Sequence, residues 1–176
     1  MDGSWGESPS VDCRFRVETR SGVFIDEPDC ADLVLPTRGY RQLRGQVRVR
    51  SGKLPVVSPE DELVPLITNV CFRAVVKLRD EDHVAVNYTD TYGILRLDHE
   101  GDTIRISGDQ VPDIRVNATG LVHGLVACGA RFREWLPTCT LEGDVDAITA
   151  TLRHEEGMAR AALPAADSGT RGSAPD

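Results

Sequence analysis

Hydrophobic and polar residues alternate from Cys13 onward: Cys13, Phe15 and Val17 are separated by Arg14 and Arg16. A period of two sends successive side chains to opposite faces of a strand. Ser21-Gly22 supplies a turn, and Val23-Phe24-Ile25 reads as a return strand closed by Pro28. Val47 and Val49 alternate with Gln46, Arg48 and Arg50, then Ser51-Gly52 turns the chain, and Pro55 and Pro59 mark a linker. The longest apolar run spans Leu63 to Leu78. Val70, Phe72, Ala74, Val76 and Leu78 share one period-two face, which predicts a long strand over 68–79, with 63–70 able to begin as a helical turn. His83–Tyr88, Tyr92–Asp98 and Thr103–Ser107 follow as strands, and residues 99–102 form a hairpin loop with Gly101 at its bend.

The period then changes. Leu121, Leu125, Cys128, Phe132 and Trp135 or Leu136 recur at helical spacing, with Asn117 or Thr119 as N-cap and Pro137 as terminator. Gly120 and Gly124 share a face that permits close approach to a sheet. A second helix begins at the N-cap candidate Asp144, with Val145, Ile148, Leu152, Ala159 and Leu163 as its stripe. Strands followed by helices indicate an α+β fold. The expectation is an antiparallel β-meander sheet, roughly six or seven strands, packed by two C-terminal helices. Residues 11–163 form the single domain, between a flexible N-terminal segment at 1–10 and a disordered tail at 164–176, whose Pro/Ala/Gly/Ser composition has no periodicity.

Composition changes this picture in two ways. Aromatics are only 5% of the 176 residues, so the core rests on Val, Leu and Ile. The formal net charge of −8 favours basic partners over nucleic acid or anionic membranes. The N-terminal residues show no apolar secretory segment, and no apolar run approaches the ~20 residues needed to span a bilayer. The expectation is a cytoplasmic protein without membrane contact. Its five cysteines, Cys13, Cys30, Cys71, Cys128 and Cys139, contain no CxxC pair and are expected as reduced thiols packed in the core. Cys128 and Cys139 could bridge only if the helix broke at Pro137.

Candidate chemistry is sparse. His83, His99, His123 and His154 lie at no ligand-like spacing, and no calcium-loop pattern occurs, so no metal is expected. There is no GxSxG elbow, Walker A sequence or GxGxxG fingerprint, so neither catalytic residues nor a cofactor can be named. Charge distribution is the informative feature. Asp80, Glu81, Asp82, Asp90, Asp98, Glu100, Asp102, Asp109 and Asp113 are opposed over 80–113 only by Arg96 and Arg105. This predicts an acidic, loop-borne face with Asp80, Asp82, Asp90, Glu100 and Asp102 as contacts for a basic protein partner. Two other readings stay open. One is a small-ligand or enzymatic pocket between sheet and helix, with Tyr88, Tyr92 and His123 as the residues to inspect. The other is a nucleic-acid accessory role for the acid-free segment carrying Arg38, Arg41, Arg44, Arg48, Arg50 and Lys53, which has only Tyr40 for base stacking.

The stretches CFRAVVKL (71–78), YGILRLDHEGDTIRISGD (92–109) and LVHGLVACGARFREWL (121–136) give the chain an organisation that resembles small bacterial immunity proteins of polymorphic toxin systems. The resemblance covers roughly residues 60–137 and carries no site residues across. It implies a binding protein that blocks a toxin domain, often through acidic residues.

Overall fold

A computed structural model describes residues 10–19, 21–28, 43–139, 141 and 143–164. The expected terminal segments (apart from Ser10 and Pro164), and with them Trp5, Cys30, Arg38, Tyr40 and Arg41, lie outside the described residues. The α+β class holds, with strands arranged in two antiparallel sheets.

The first sheet comprises β1 (Val11–Glu18), β2 (Phe24–Asp26), β3 (Arg44–Ser51) and β4 (Leu54–Val57) in the order β2-β1-β3-β4, with the short β5 (Asp61–Glu62) also paired to β3. Cys13 faces Val49 and Phe15 faces Val47 across β1 and β3. All four are buried, as the alternation predicts. On the outer face, Arg16 and Arg48 both pair with Asp26, at 3.0 and 2.5 Å. Pro55 lies not in a linker but in β4, opposite Arg50. β4 ends the sheet, where a missing N–H costs no ladder bond.

The second sheet is a meander of β6 (His83–Asn87), β7 (Ile94–Glu100), β8 (Thr103–Gly108) and β9 (Val111–Asn117). Leu95, Leu97, Ile104 and Ile106 point inward from β7 and β8 and are buried.

The predicted strand at 68–79 is instead helix. Leu63–Ile67, a π-helical stretch Thr68–Arg73, and Ala74–Leu78 run on as one helix, α1. Leu63, Leu66, Ile67, Val70, Cys71, Ala74, Val75 and Leu78 recur at helical spacing and are buried, and Thr68 and Phe72 are buried beside that stripe. A helix enclosed on most sides is apolar almost all round, so its sequence also satisfies a period of two.

Two helices follow: α2 (Ala118–Trp135) and α3 (Val145–Ala162). Their predicted caps are in place: Asn117 accepts from the Gly120 N–H at 2.7 Å and Asp144 from the Ala147 N–H at 2.8 Å. α2 crosses β1 and α1 at its glycines. A Cβ on Gly124 would sit 2.9 Å from Cys13 Sγ, and one on Gly129 2.5 Å from the Phe72 ring. Phe15, Phe132 and Trp135 cluster with ring centroids 5.3 to 5.8 Å apart, and Trp135 Nε1 donates to the Pro28 carbonyl at 2.6 Å. No helix among the described residues is long and apolar enough to cross a membrane.

Candidate functional site

The meander separates two sets of loops. At roughly 3.3 Å per strand residue, the ends of β7 are about 20 Å apart. At one end meet the α1–β6 connection, the β7–β8 hairpin and the β9–α2 junction. Main-chain bonds tie them: the His99 N–H donates to the Asp82 carbonyl at 2.7 Å, and the Ala118 N–H to the Asp102 carbonyl at 2.9 Å. Gly101 makes the hairpin bend with φ of 65°.

Four of the five predicted contact residues gather here, all exposed: Asp80, Asp82, Glu100 and Asp102. Asp80 lies 2.7 Å from Arg79, whose hydrogen bond holds the carboxyl below its usual range. Glu100 lies 2.7 Å from Arg115. Asp82 and Asp102 have no ion pair among the described residues. With Glu81, this end carries five carboxylates against two arginines.

Beside them opens a cavity of about 510 Å³, lined by Asp102 but not by Asp80, Asp82 or Glu100. Val75, Leu78, Ile104 and Val122 give it an apolar floor, and Arg79, His99 and Asp102 stand on its rim. It lies between sheet and helices, as the pocket reading requires, yet Tyr88, Tyr92 and His123 do not line it. His123 is half-buried on α2. Val75 and Leu78 are not legible in the sequence as lining residues, because the period of their segment also fits a strand.

The fifth residue, Asp90, belongs to the opposite end, in the β6–β7 connection. That loop is organised by Asp61, which is 1% exposed. Its carboxylate accepts the N–H groups of Thr89 at 2.6 Å, Asp90 at 2.8 Å and Glu62 at 2.9 Å. The Thr91 hydroxyl donates to the Glu60 carbonyl at 2.6 Å. Arg44 bridges Glu60 and Asp90, reaching the latter at 2.9 Å. Tyr88 is buried beneath the loop, and burial followed by the nearby Asp61 and Asp109 charges pushes its phenol well above the ordinary range. Tyr92 stands at the tip, 99% exposed. Asp61 was not singled out in the sequence; the only local signal is its place in the acidic run Glu60-Asp61-Glu62 ahead of an apolar segment.

The remaining chemistry is quiet. Among the described residues no group of three or more His, Cys, Asp or Glu could hold a metal ion. Cys13, Cys71 and Cys128 are free and buried. Burial, reinforced by Cys128, pushes the Cys13 thiol far up; the hydrogen bond with Cys128 and then burial do the same for Cys71. Thiols held protonated are poor nucleophiles. The expectation of reduced thiols fails at Cys139, which is disulfide-bonded. Of the basic segment, Arg44 and Arg48 are committed to carboxylates, and Arg50 donates to the Gly52 carbonyl at 3.2 Å.

Comparison with protein-family models, with curated proteins and with solved structures finds no match to the chain.

Proposed function

We propose that the chain is a protein-binding module that captures a basic partner at the hairpin end of the meander. The observation that carries this reading is the gathering of Asp80, Asp82, Glu100 and Asp102 at one end of the meander, where Asp102 also lines an apolar-floored cavity. Exposed carboxylates on tied connections attract a cationic surface over distance and align it on approach, which acts on association rate more than on final affinity. The cavity complements the same kind of partner. A lysine or arginine can lay its aliphatic stem against Leu78, Val122 and Ala162 while its head meets Asp102. The resemblance to immunity proteins makes a toxin domain the partner to try first. A cytoplasmic location belongs to this reading; the disulfide at Cys139 weighs against it, because such bonds persist mainly in oxidising compartments.

The test replaces Asp80 and Asp82 by Asn, Glu100 by Gln and Asp102 by Asn together. The association rate with a cognate toxin domain is then measured across salt concentrations. The expected result is a wild-type rate that falls steeply with salt and a variant rate about tenfold lower at low salt and nearly flat. Equal rates at low salt would overturn the reading.

The cavity volume also supports a second reading, since small-ligand pockets are commonly about 300–1,000 Å³. A ligand that raises the melting temperature of the wild type but not of Val122→Phe, which fills the floor, would favour it; loss of the salt-dependent association alone would not.

A further inference from the structure

A separate surface, opposite in charge, lies along β6. This strand ends the order β6-β7-β8-β9, so one of its sides is unpaired. Two bonds fix which groups lie on that side: the His99 N–H to the Asp82 carbonyl at 2.7 Å, and the Tyr88 N–H to the Gly93 carbonyl at 3.4 Å. Hydrogen-bonded pairs alternate along an antiparallel ladder. With Val84 opposite Leu97 and Val86 opposite Leu95, the even positions of β6 bond to β7. The N–H and C=O groups of His83, Ala85 and Asn87 therefore point away from the sheet. No main-chain partner reaches them from the free side among the described residues.

Other edges are guarded. β2 is 3 residues long, and β4 and β9 carry Pro55 and Pro112. Short length and proline are the usual means of preventing further strand pairing. β6, with the sequence HVAVN, has neither proline nor lysine.

Beside this edge runs a groove of about 260 Å³, walled by Val84, Ala85, Val86 and Asn87 on the strand and by Asn69, Arg73, Ala74 and Lys77 on α1. Asn69, Arg73 and Lys77 recur every four residues and so form a line along the helix. No carboxylate lines the groove, although the chain carries a net charge of −8. Arg73 lies 2.6 Å from Glu155 and is 56% exposed, whereas Lys77 has no carboxylate partner among the described residues. An incoming carboxylate would meet Lys77 directly and share Arg73 with Glu155.

We propose that the groove between β6 and α1 binds an extended acidic peptide, which adds to the meander as a further strand. Main-chain bonds to Ala85 and Asn87 would supply the pairing, and Arg73 and Lys77 the preference for acid. The groove shares no lining residue with the cavity at the hairpin end.

The probes are a short synthetic peptide alternating threonine and glutamate, its lysine counterpart, and the glutamate peptide N-methylated at alternate residues. Binding is followed by fluorescence polarisation and by amide exchange of the whole protein. The glutamate peptide should bind and slow exchange at Ala85 and Asn87 by about tenfold, while the other two should not. Lys77→Glu should weaken binding by about fivefold with an unchanged melting temperature. Three results would overturn the proposal: no protection at Ala85 and Asn87, equal binding of the lysine or N-methylated peptide, or protection that rises with protein concentration alone. The last would mean that a second copy of the chain covers the edge.

Discussion

The two ends of the meander use acidic residues in opposite ways. At the β6–β7 end, Asp61 is buried and spends its carboxylate on three main-chain N–H groups, while Asp90 is tied to Arg44. At the hairpin end, Asp82 and Asp102 are exposed without ion pairs among the described residues, and it is their main-chain carbonyls, not their carboxylates, that tie the connections together. Acids that are themselves buried against main-chain donors are structural and cannot be given to a partner without loss. Acids that stand in water on a scaffold held by other bonds remain available. The same residue type is thus divided between holding the fold and presenting charge.

The largest expected effect breaks the first half of that contrast. Asp61→Ala leaves the Thr89, Asp90 and Glu62 N–H groups without their acceptor. Unsatisfied buried donors cost about 1–3 kcal/mol each, less where water can enter, and a total loss of about 3 kcal/mol in urea unfolding is expected. Amide exchange at Thr89 and Asp90 should accelerate, while the Ala118 amide at the hairpin end stays as slow as in the wild type. Uniform acceleration would show that the ends are not independent. Asp102→Asn is the matching change at the other end and should fall within about 0.5 kcal/mol of wild type.

A smaller effect concerns the wall of the cavity. Ala162 and Pro164, at the end of α3, line it, and α3 is fastened to α2 through Glu156, which is 6% exposed. Burial alone would raise the Glu156 carboxyl, but hydrogen bonds from Arg133 at 2.6 Å and Arg160 at 2.7 Å outweigh it and hold the group below its ordinary 4.5. A carboxyl depressed in the folded state stabilises fully above its unfolded value, and that contribution is lost as pH falls through the folded value. Glu156→Gln should therefore cost about 2 kcal/mol at neutral pH. The gap between variant and wild type should close as pH drops below 4.5. A gap that stays constant down to acid pH would mean that packing, not charge, fastens α3.

Strands whose inner and outer faces differ were readable from periodicity. β1, β3 and the β7–β8 hairpin each bury one face, and α2 and α3 announce themselves by stripes and by the caps Asn117 and Asp144. Segments lacking that asymmetry were not. α1 is buried along most of its length, so its run of Val, Cys, Phe and Ala fits two periods equally well. β9 was missed because Pro112 and Asp113 interrupt its alternation, and a register shift between Ile106 and Gly108 offsets it from β8. At the site, the gathering of Asp80, Asp82, Glu100 and Asp102 follows from the hairpin register, which the sequence supports. Asp61 does not follow, since its acceptor role depends on residues 28 and 29 positions away. Contacts of that separation are set by how the two sheets meet, which no local pattern encodes.

The smallest effect asks which end a partner touches. Tyr92 is 99% exposed, so Tyr92→Ala removes no buried surface, and its stability should change by less than about 0.5 kcal/mol. Its loop is nevertheless fixed by Asp61, Thr91 and Arg44, so the ring is offered from a rigid base. Aromatic residues in such positions are common anchors at protein interfaces, because little side-chain freedom is lost when they dock. If the hairpin end alone meets the basic partner, Tyr92→Ala should leave both the rate and its salt dependence as in the wild type, about 20 Å being too far for a shared contact through one side chain. A faster dissociation with an unchanged, salt-dependent association rate would place an anchor at the pinned end. The exposed acids would then guide the partner in, and Tyr92 would hold it.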